Sequence, residues 1–323
     1  MRASLGFRLW KPWFVYQPAQ LIHRAVAAWW PPPPGYIPLE TSWGVRIIAD
    51  PSRAIGRSIL TTGVYDLAVS EALARLISPG DTVVDGGANV GYMTVLASVA
   101  AGPGGRVVSF EPHPGLFGVL EQNVAAVRGQ FHVARTELHQ LALGDHTGTA
   151  ELQVPPDFGS NDGIARISRT PTLGSQSVMV QVQTLDGALG GGSAAVLKLD
   201  VEGFELQVLR GSAQSLCGRR VRHIVFENHA ADGTQVVRVL REAGYQVFSL
   251  GWSMRGIAVQ PIELGNLSTE HEAPNFIATL EPAETLARCR PKGWLVLSGR
   301  LLRNCAAPTA RDRTRRSTHP PRT

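Results

Sequence analysis

The chain has 323 residues, 44% of them hydrophobic, and a net charge of +5; that length allows a sizeable core, read as one large domain with extensions. From Gly299 to Thr323 seven arginines stand against one acid, Asp312, so this segment carries +6 and the rest about −1. A body so nearly neutral has no basic groove for nucleic acid.

Cys217, Cys289 and Cys305 are odd in number and far apart, which gives neither a disulfide framework nor a metal spacing and fits a reducing, cytoplasmic setting. No run reaches the ~20 apolar residues of a membrane span. Pro12 and Pro18 interrupt any signal-peptide core. Three regions are expected: an N-terminal extension over 1–55, a ligand-binding domain over 56–285, and an arginine-rich, disordered tail over 286–323.

In the extension, Trp10, Trp13, Phe14 and Tyr16 crowd the start. A helix is predicted from Pro18, with Leu21, Ile22, Ala25, Val26 and Trp29 on one face and His23 and Arg24 away from it. A polyproline stretch, 31–34, ends it. Such a face suits packing on the main domain, a homo-oligomer contact, or peripheral contact with a membrane surface. Residues 36–63 read as one or two strands around Val45 to Ile48, then a loop. Asp66 is a candidate N-cap for a helix over 67–77, and the loop at Tyr65 can cover the ligand domain.

The stretch that follows is the most informative. Thr82 to Asp85 suits a buried parallel strand. Gly86, Gly87, Ala88, Asn89, Val90 and Gly91 form a turn of small residues, and a helix from Tyr92 to Ala100 points its first N–H groups back at that turn. Arg106 to Phe110 gives a second strand, ending at Glu111, where such a unit commonly meets ribose hydroxyls. A dinucleotide site calls for G-x-G-x-x-G, but Ala88 occupies the middle glycine position. The frame Asp85, Gly87, Asn89, Gly91 is instead similar to motif I of the class I S-adenosylmethionine (SAM) methyltransferases.

Further on, Leu116 to Val127 reads as a helix and His139 to Leu143 as a third strand. Thr149 to Val154 and Val178 to Thr184 alternate as a β insertion, with a glycine- and serine-rich loop between them. Ala195 to Leu199 is a fourth strand, running into Asp200-Val201-Glu202-Gly203-Phe204-Glu205, with Asp200 and Glu202 on one strand face. Val221 to Phe226 is a fifth strand, ending near His229. After a helix from Thr234 to Ala243, Gln246 to Leu250 and Asn275 to Thr279 make the last two. Strand and helix alternate, as in a doubly wound α/β sheet with its ligand at the strand carboxyl ends.

Laid out in order, the chain resembles the FkbM family of methyltransferases. The matching pieces are Gly63-Val64-Tyr65-Asp66 with Glu71, the stretch from Gly80 to Gly91, and Phe110-Glu111-Pro112-x-Pro114 with Asn123. Ala142-Leu143-Gly144-Asp145, Thr184-Leu185-Asp186, the run from Leu197 to Glu205 with Leu209-x-Gly211, and Glu227-x-His229 complete the series. Gly86 departs from the family, which often has a larger aliphatic residue there. The resemblance implies a Rossmann-like class I methyltransferase fold: a seven-stranded, mostly parallel sheet with a small β insertion, here with an N-terminal helical extension. It implies SAM as cofactor and a hydroxyl of a small molecule, glycan or lipid as acceptor. Two acids near one pocket could also hold Mg²⁺, but no metal is expected, since magnesium keeps waters and needs few protein ligands.

On that reading Asp85, Gly87, Asn89 and Gly91 hold the methionine end, Glu111 the ribose, and Asp145 lies near the adenine. Asp200, Glu202 and His229 are the candidates for placing the acceptor or taking its proton. Glu205 reads as a capping or ion-pair residue, and Lys198 as a structural partner for an acid. Two rival readings stand beside this one: a nicotinamide-dependent oxidoreductase, and a non-catalytic SAM-binding scaffold.

Overall fold

The structure is a computed structural model that describes residues 11–29, 32, 34–155, 166–167, 176–228, 233–262, 275–299 and 301–302. Two helices, α1 (Pro12–Tyr16) and α2 (Ala19–Trp29), precede a hairpin of β1 (Ile37–Glu40) and β2 (Arg46–Ala49), then α3 (Ala54–Thr62) and α4 (Leu67–Leu76). The wound unit opens with β3 (Thr82–Gly86), α5 (Tyr92–Ala101), β4 (Arg106–Phe110), α6 (Pro114–Gln130) and β5 (Arg135–His139). Strands β6 (Ala142–Leu143), β7 (Gly148–Val154), β8 (Arg166–Ile167) and β9 (Gln176–Gln183) form a separate four-stranded insertion. The chain then continues through α7 (Leu185–Leu189), β10 (Ala194–Leu199), α8 (Glu205–Arg210), α9 (Ala213–Cys217), β11 (Val221–Glu227) and α10 (Gly233–Glu242). It closes with β12 (Gln246–Ser253), β13 (Gly256–Pro261), β14 (Asn275–Thr279) and α11 (Pro282–Cys289).

The main sheet runs β13-β12-β14-β11-β10-β3-β4-β5. Neighbours from β11 to β5 are parallel, and β14 is antiparallel to both of its neighbours. Valines on alternate positions cover both faces: Val83 and Val107 face one core with α4, α5 and α6, while Val84 and Val108 face the other with α8 and α10. The chain order reverses between β3 and β10, so a crevice opens at their carboxyl ends. Gly86, the departure from the family pattern, leaves room that Leu143 and Leu199 fill; a Cβ there would lie 3.2 Å from Leu143 Cδ1.

Four expectations need correction. Residues 54–62 are helix, not loop: Ile55 and Ile59 are buried one turn apart, and Gly56 is needed because a Cβ would lie 2.1 Å from Asp50 O. The third strand is β5, earlier than expected, because an edge strand carries polar residues; Arg106 forks onto its Glu137 at 3.0 and 2.7 Å. His139 ends that strand, while Ala142 and Leu143 pair with β9 in the insertion. An eighth strand, β13, extends the seven expected ones as a hairpin partner of β12.

The expected region boundaries at 55 and 286 also do not mark breaks in packing. Trp43 and Ile47 of the hairpin region are fully buried in the main core. Asn123 of α6 ties the hairpin down, accepting from Ile48 N at 2.6 Å and donating to Ile48 O and Val90 O. At the other end, Trp294, Val296 and Leu297 are buried, and the main chain at Leu295 and Val296 donates to Glu71 of α4. Residues 303–323 lie outside the described residues, as do most of the loop between β7 and β9 and His229. On α2 the face expected to dock, with Ile22, Val26 and Trp29, is turned outward.

Candidate active site

A cleft of about 840 Å³, counted to its open mouth, lies at the carboxyl ends of β3, β4 and β10. Its floor is the glycine turn. Gly87 takes φ +78°, and a Cβ there would stand 1.8 Å from Asp200 O, so only glycine allows the two strand ends to approach. Asn89 is also left-handed, at φ +52°, and lines the cleft. Gly91 takes φ +89° as the N-cap of α5, but it faces Leu120 rather than the cleft; a Cβ would lie 2.5 Å from Leu120 Cδ1.

Glu111 reaches the cleft from the end of β4 and is buried. Its carboxylate accepts from Asn89 N and His113 N, each at 2.8 Å. Burial outweighs these bonds and the nearby Lys198, and raises its pKa to about 7. The two amides use part of a four-lone-pair acceptor, so the group can still receive ribose hydroxyls.

Asp85 is brought near the cleft but not onto its wall. Buried under the turn, it accepts from Thr94 Oγ1 at 2.6 Å, and its Oδ1 lies 3.3 Å from Lys198 Nζ. The expected direct contact with the methionine end is therefore replaced by support of Lys198. That lysine donates to Gly87 O at 2.7 Å and lies 3.5 Å from Asp200 Oδ2. Burial alone would lower its pKa; Asp85 and Asp200 reverse this and raise it, holding the ammonium charged. The structural pairing read for Lys198 is present, and the residue lines the cleft as well.

Asp200 and Glu202 both line the cleft, though not from a strand. β10 ends at Leu199, and residues 200–203 form a turn in which Glu202 takes φ +53°, a conformation uncommon for a non-glycine residue. Glu205 accepts from Val201 N and Gly203 N and so fastens the turn, the capping role read for it. Asp145 is not brought to the cleft. It is on the surface beside His146, with 2.6 Å between Oδ1 and Nδ1, because the chain leaves the pocket wall after Leu143.

Two functional candidates escaped the sequence reading. Tyr65 lines the cleft directly, and burial first, then Asp200, Asp66, Glu227 and Glu202, push its phenol well above the usual range. Its hydroxyl therefore stays a proton donor. Asp66 does cap α4, accepting from Val69 N at 3.0 Å. It also enters a small recess that shares Tyr65, Lys198 and Asp200 with the cleft. Burial lifts its pKa to about 6, against hydrogen bonds from Val69 and Asn275. The turn signature at Tyr65-Asp66 was visible, but the carboxylates around it come from distant strands. Among the described residues no cluster of histidines, cysteines and acids is arranged to hold a metal, and no helix is long and apolar enough to cross a membrane.

This cleft suits SAM chemically: glycine leaves bare backbone at the turn, Glu111 offers carboxylate oxygens to a ribose, and Asn89 and Ala88 form the small-residue wall between them. The topology, β5-β4-β3-β10-β11-β14-β12 with an antiparallel β14, is that of the class I methyltransferases. A family model described as the methyltransferase FkbM domain matches residues 85–247. The 31-O-demethyl-FK506 methyltransferase FkbM of Streptomyces tacrolimicus is 31% identical over 201 residues, 53% of this chain and 75% of that protein. The hexuronic acid methyltransferase AglP of Haloferax volcanii is 25% identical over 185 residues, 56% of this chain and 71% of that one. Among solved structures, methyltransferase FkbM from Methylobacillus flagellatus KT aligns at 16% identity and a TM-score of 0.39, over 61% of this chain and 43% of that one. The chain belongs to the FkbM family of SAM-dependent methyltransferases.

Proposed function

We propose that the protein transfers a methyl group to a hydroxyl oxygen of a small molecule, glycan or lipid. The observation that carries this reading is that Asp200, Glu202 and Tyr65 line the same cleft as the glycine turn and Glu111. Two relatives point the same way by name, one an O-demethyl-FK506 methyltransferase and the other a hexuronic acid methyltransferase.

Bound SAM supplies an electrophilic methyl group on a sulfonium. Gly87 and Asn89 give the turn that receives its methionine end, and Glu111 takes the ribose. Lys198 holds Asp200 in place through its ion pair, so Asp200 presents a fixed oxygen to the acceptor hydroxyl. A carboxylate of the 200–203 turn would take the hydroxyl proton as the C–O bond forms and the methyl–sulfur bond breaks, with the demethylated cofactor, a neutral thioether, as leaving group. Tyr65, kept protonated, donates a hydrogen bond to the acceptor. Holding the oxygen in line with the methyl–sulfur bond supplies most of the rate.

The test uses methyl-labelled SAM with separate panels of polyhydroxylated glycans and macrolides, amines, and carboxylic acids. Label in alkali-stable ethers supports the reading; label in amines or alkali-labile esters overturns it. With the acceptor so found, Asp200→Asn lowers kcat by about 10²-fold or more and leaves SAM affinity within about twofold. Equal losses in both would move Asp200 to the cofactor.

A further inference from the structure

Helix α2 is mounted with its apolar stripe away from the body. Ile22, Val26 and Trp29 recur at helical spacing and are 65%, 57% and 87% exposed. Val15 and Tyr16 of α1 are also exposed. Among the described side chains of α2 the buried one is polar: Gln20, whose Nε2 lies 2.9 Å from the place a Cβ on Gly63 would take. An apolar stripe bare to water is the mark of a surface that meets a partner.

We propose that this face docks on an anionic lipid surface, with α2 lying in the plane of the headgroups. The charge distribution selects that partner. Residues 1–39 contain Arg2, Arg8, Lys11 and Arg24 and no acid, a charge of +4, and the segment from Gly299 onward carries +6. The whole chain is +5, so the ends together hold +10 and residues 40–298 hold −5.

Described residues that adjoin the two basic ends lie close to α2. Gln17, between α1 and α2, donates to Leu297 O at 2.8 Å. Leu302, after which residues 303–323 continue, has Cδ1 2.9 Å from the place a Cβ on Gly44 would take. The neighbouring Ser42 N donates to Gly63 O, and Gly63 is the residue against Gln20. Leu302, the last described residue before that segment, therefore lies against the turn on which α2 rests. A second copy would bring the same basic, acid-free N-terminal segment against its like, whereas anionic headgroups complement it. An apolar stripe with a tryptophan, in a segment whose charged residues are all basic, has the composition of an interfacial helix.

The experiment is co-sedimentation of the full chain with vesicles of phosphatidylcholine alone and of phosphatidylcholine with phosphatidylglycerol. The expected result is binding about tenfold stronger to the anionic vesicles, weakened by salt. The double variant Ile22→Asp/Trp29→Asp is expected to lose that binding about tenfold while keeping the parent's SAM affinity, which reports an intact fold. Arg313→Glu/Arg315→Glu/Arg316→Glu is expected to lose mainly the anionic preference. Binding that survives the α2 variant undiminished overturns the proposal, as does equal or absent binding to the two vesicles. A parent that is dimeric by light scattering and made monomeric by the α2 variant overturns it in favour of a second copy.

Discussion

Two carboxylates, Glu71 and Glu111, are both buried and both hold the ends of segments together, yet their surroundings differ in one respect. Glu71 is saturated. Arg75 Nε donates to it at 2.7 Å, and the main chain at Leu295 and Val296 donates at 2.9 to 3.1 Å. Arg75 in turn donates from Nη1 to Arg288 O and from Nη2 to Gly293 O. Glu111 has two amides and an open side toward the cleft, and its pKa is driven up to about 7. A charged group whose bonds are all made within the fold is a fastener. One left short of partners at a cleft is poised for a ligand.

The largest effect follows from removing the fastener. Glu71→Ala strands Arg75 without its counter-ion and leaves two buried amides unsatisfied. Breaking a buried pair of this kind costs about 3–5 kcal/mol, or roughly 5–10 °C in Tm for a chain of this size. Thermal unfolding measures it, and SAM titration of the folded variant should show affinity close to the parent's. A loss below about 1 kcal/mol would mean that the segment after α11 is held by Trp294, Val296 and Leu297 alone.

Glu111→Gln should act in opposite directions on stability and on binding. The folded-state pKa is raised, so the native state holds the proton more tightly than the unfolded chain does. Between about pH 4.5 and pH 7 the parent therefore loses stability as pH rises, by up to about 3 kcal/mol, and stays at that level above pH 7. The glutamine variant lacks this slope. Without ligand it should be the more stable protein at pH 8, by chemical denaturation, and no different near pH 4.5. Its SAM affinity should be about tenfold weaker at pH 8, where the parent offers a full charge to the ribose hydroxyls. Matching slopes in parent and variant would remove the raised pKa from this group.

The strand–turn–helix–strand unit was legible because its chemistry is contiguous. Asp85 to Gly91 and Glu111 sit in one βαβ unit, and a tight turn needs glycine at Gly87 whatever surrounds it. Helix α3 was hidden by Gly56, which looks like a breaker but is there to let Asp50 approach. The second role of Asp66 was hidden because its partner Asn275 lies 209 residues away, bonded at 2.9 Å. Asp200 and Glu202 reach the cleft by a route the pattern did not show: alternation along a strand suggests one face, whereas a strained turn delivers both. In the Ala142-Leu143-Gly144-Asp145 piece, the pattern could not say which residue faces the pocket; Ala142 and Leu143 line it.

The smallest effect tests that last point. Asp145 is exposed, and its Oδ1 lies 2.6 Å from His146 Nδ1. An exposed pair of this type contributes about 0–1 kcal/mol. Asp145→Ala should therefore change stability by less than about 0.5 kcal/mol and SAM affinity by less than about twofold, read by denaturation and by calorimetric titration. The contrast with Glu111 is the control: both are acids after strands on the cleft side, and only one has its carboxylate in the cleft wall. A tenfold loss of SAM affinity in Asp145→Ala would show that the 144–146 turn folds inward when the cofactor binds. That would return Asp145 to the adenine end, where the sequence pattern had placed it.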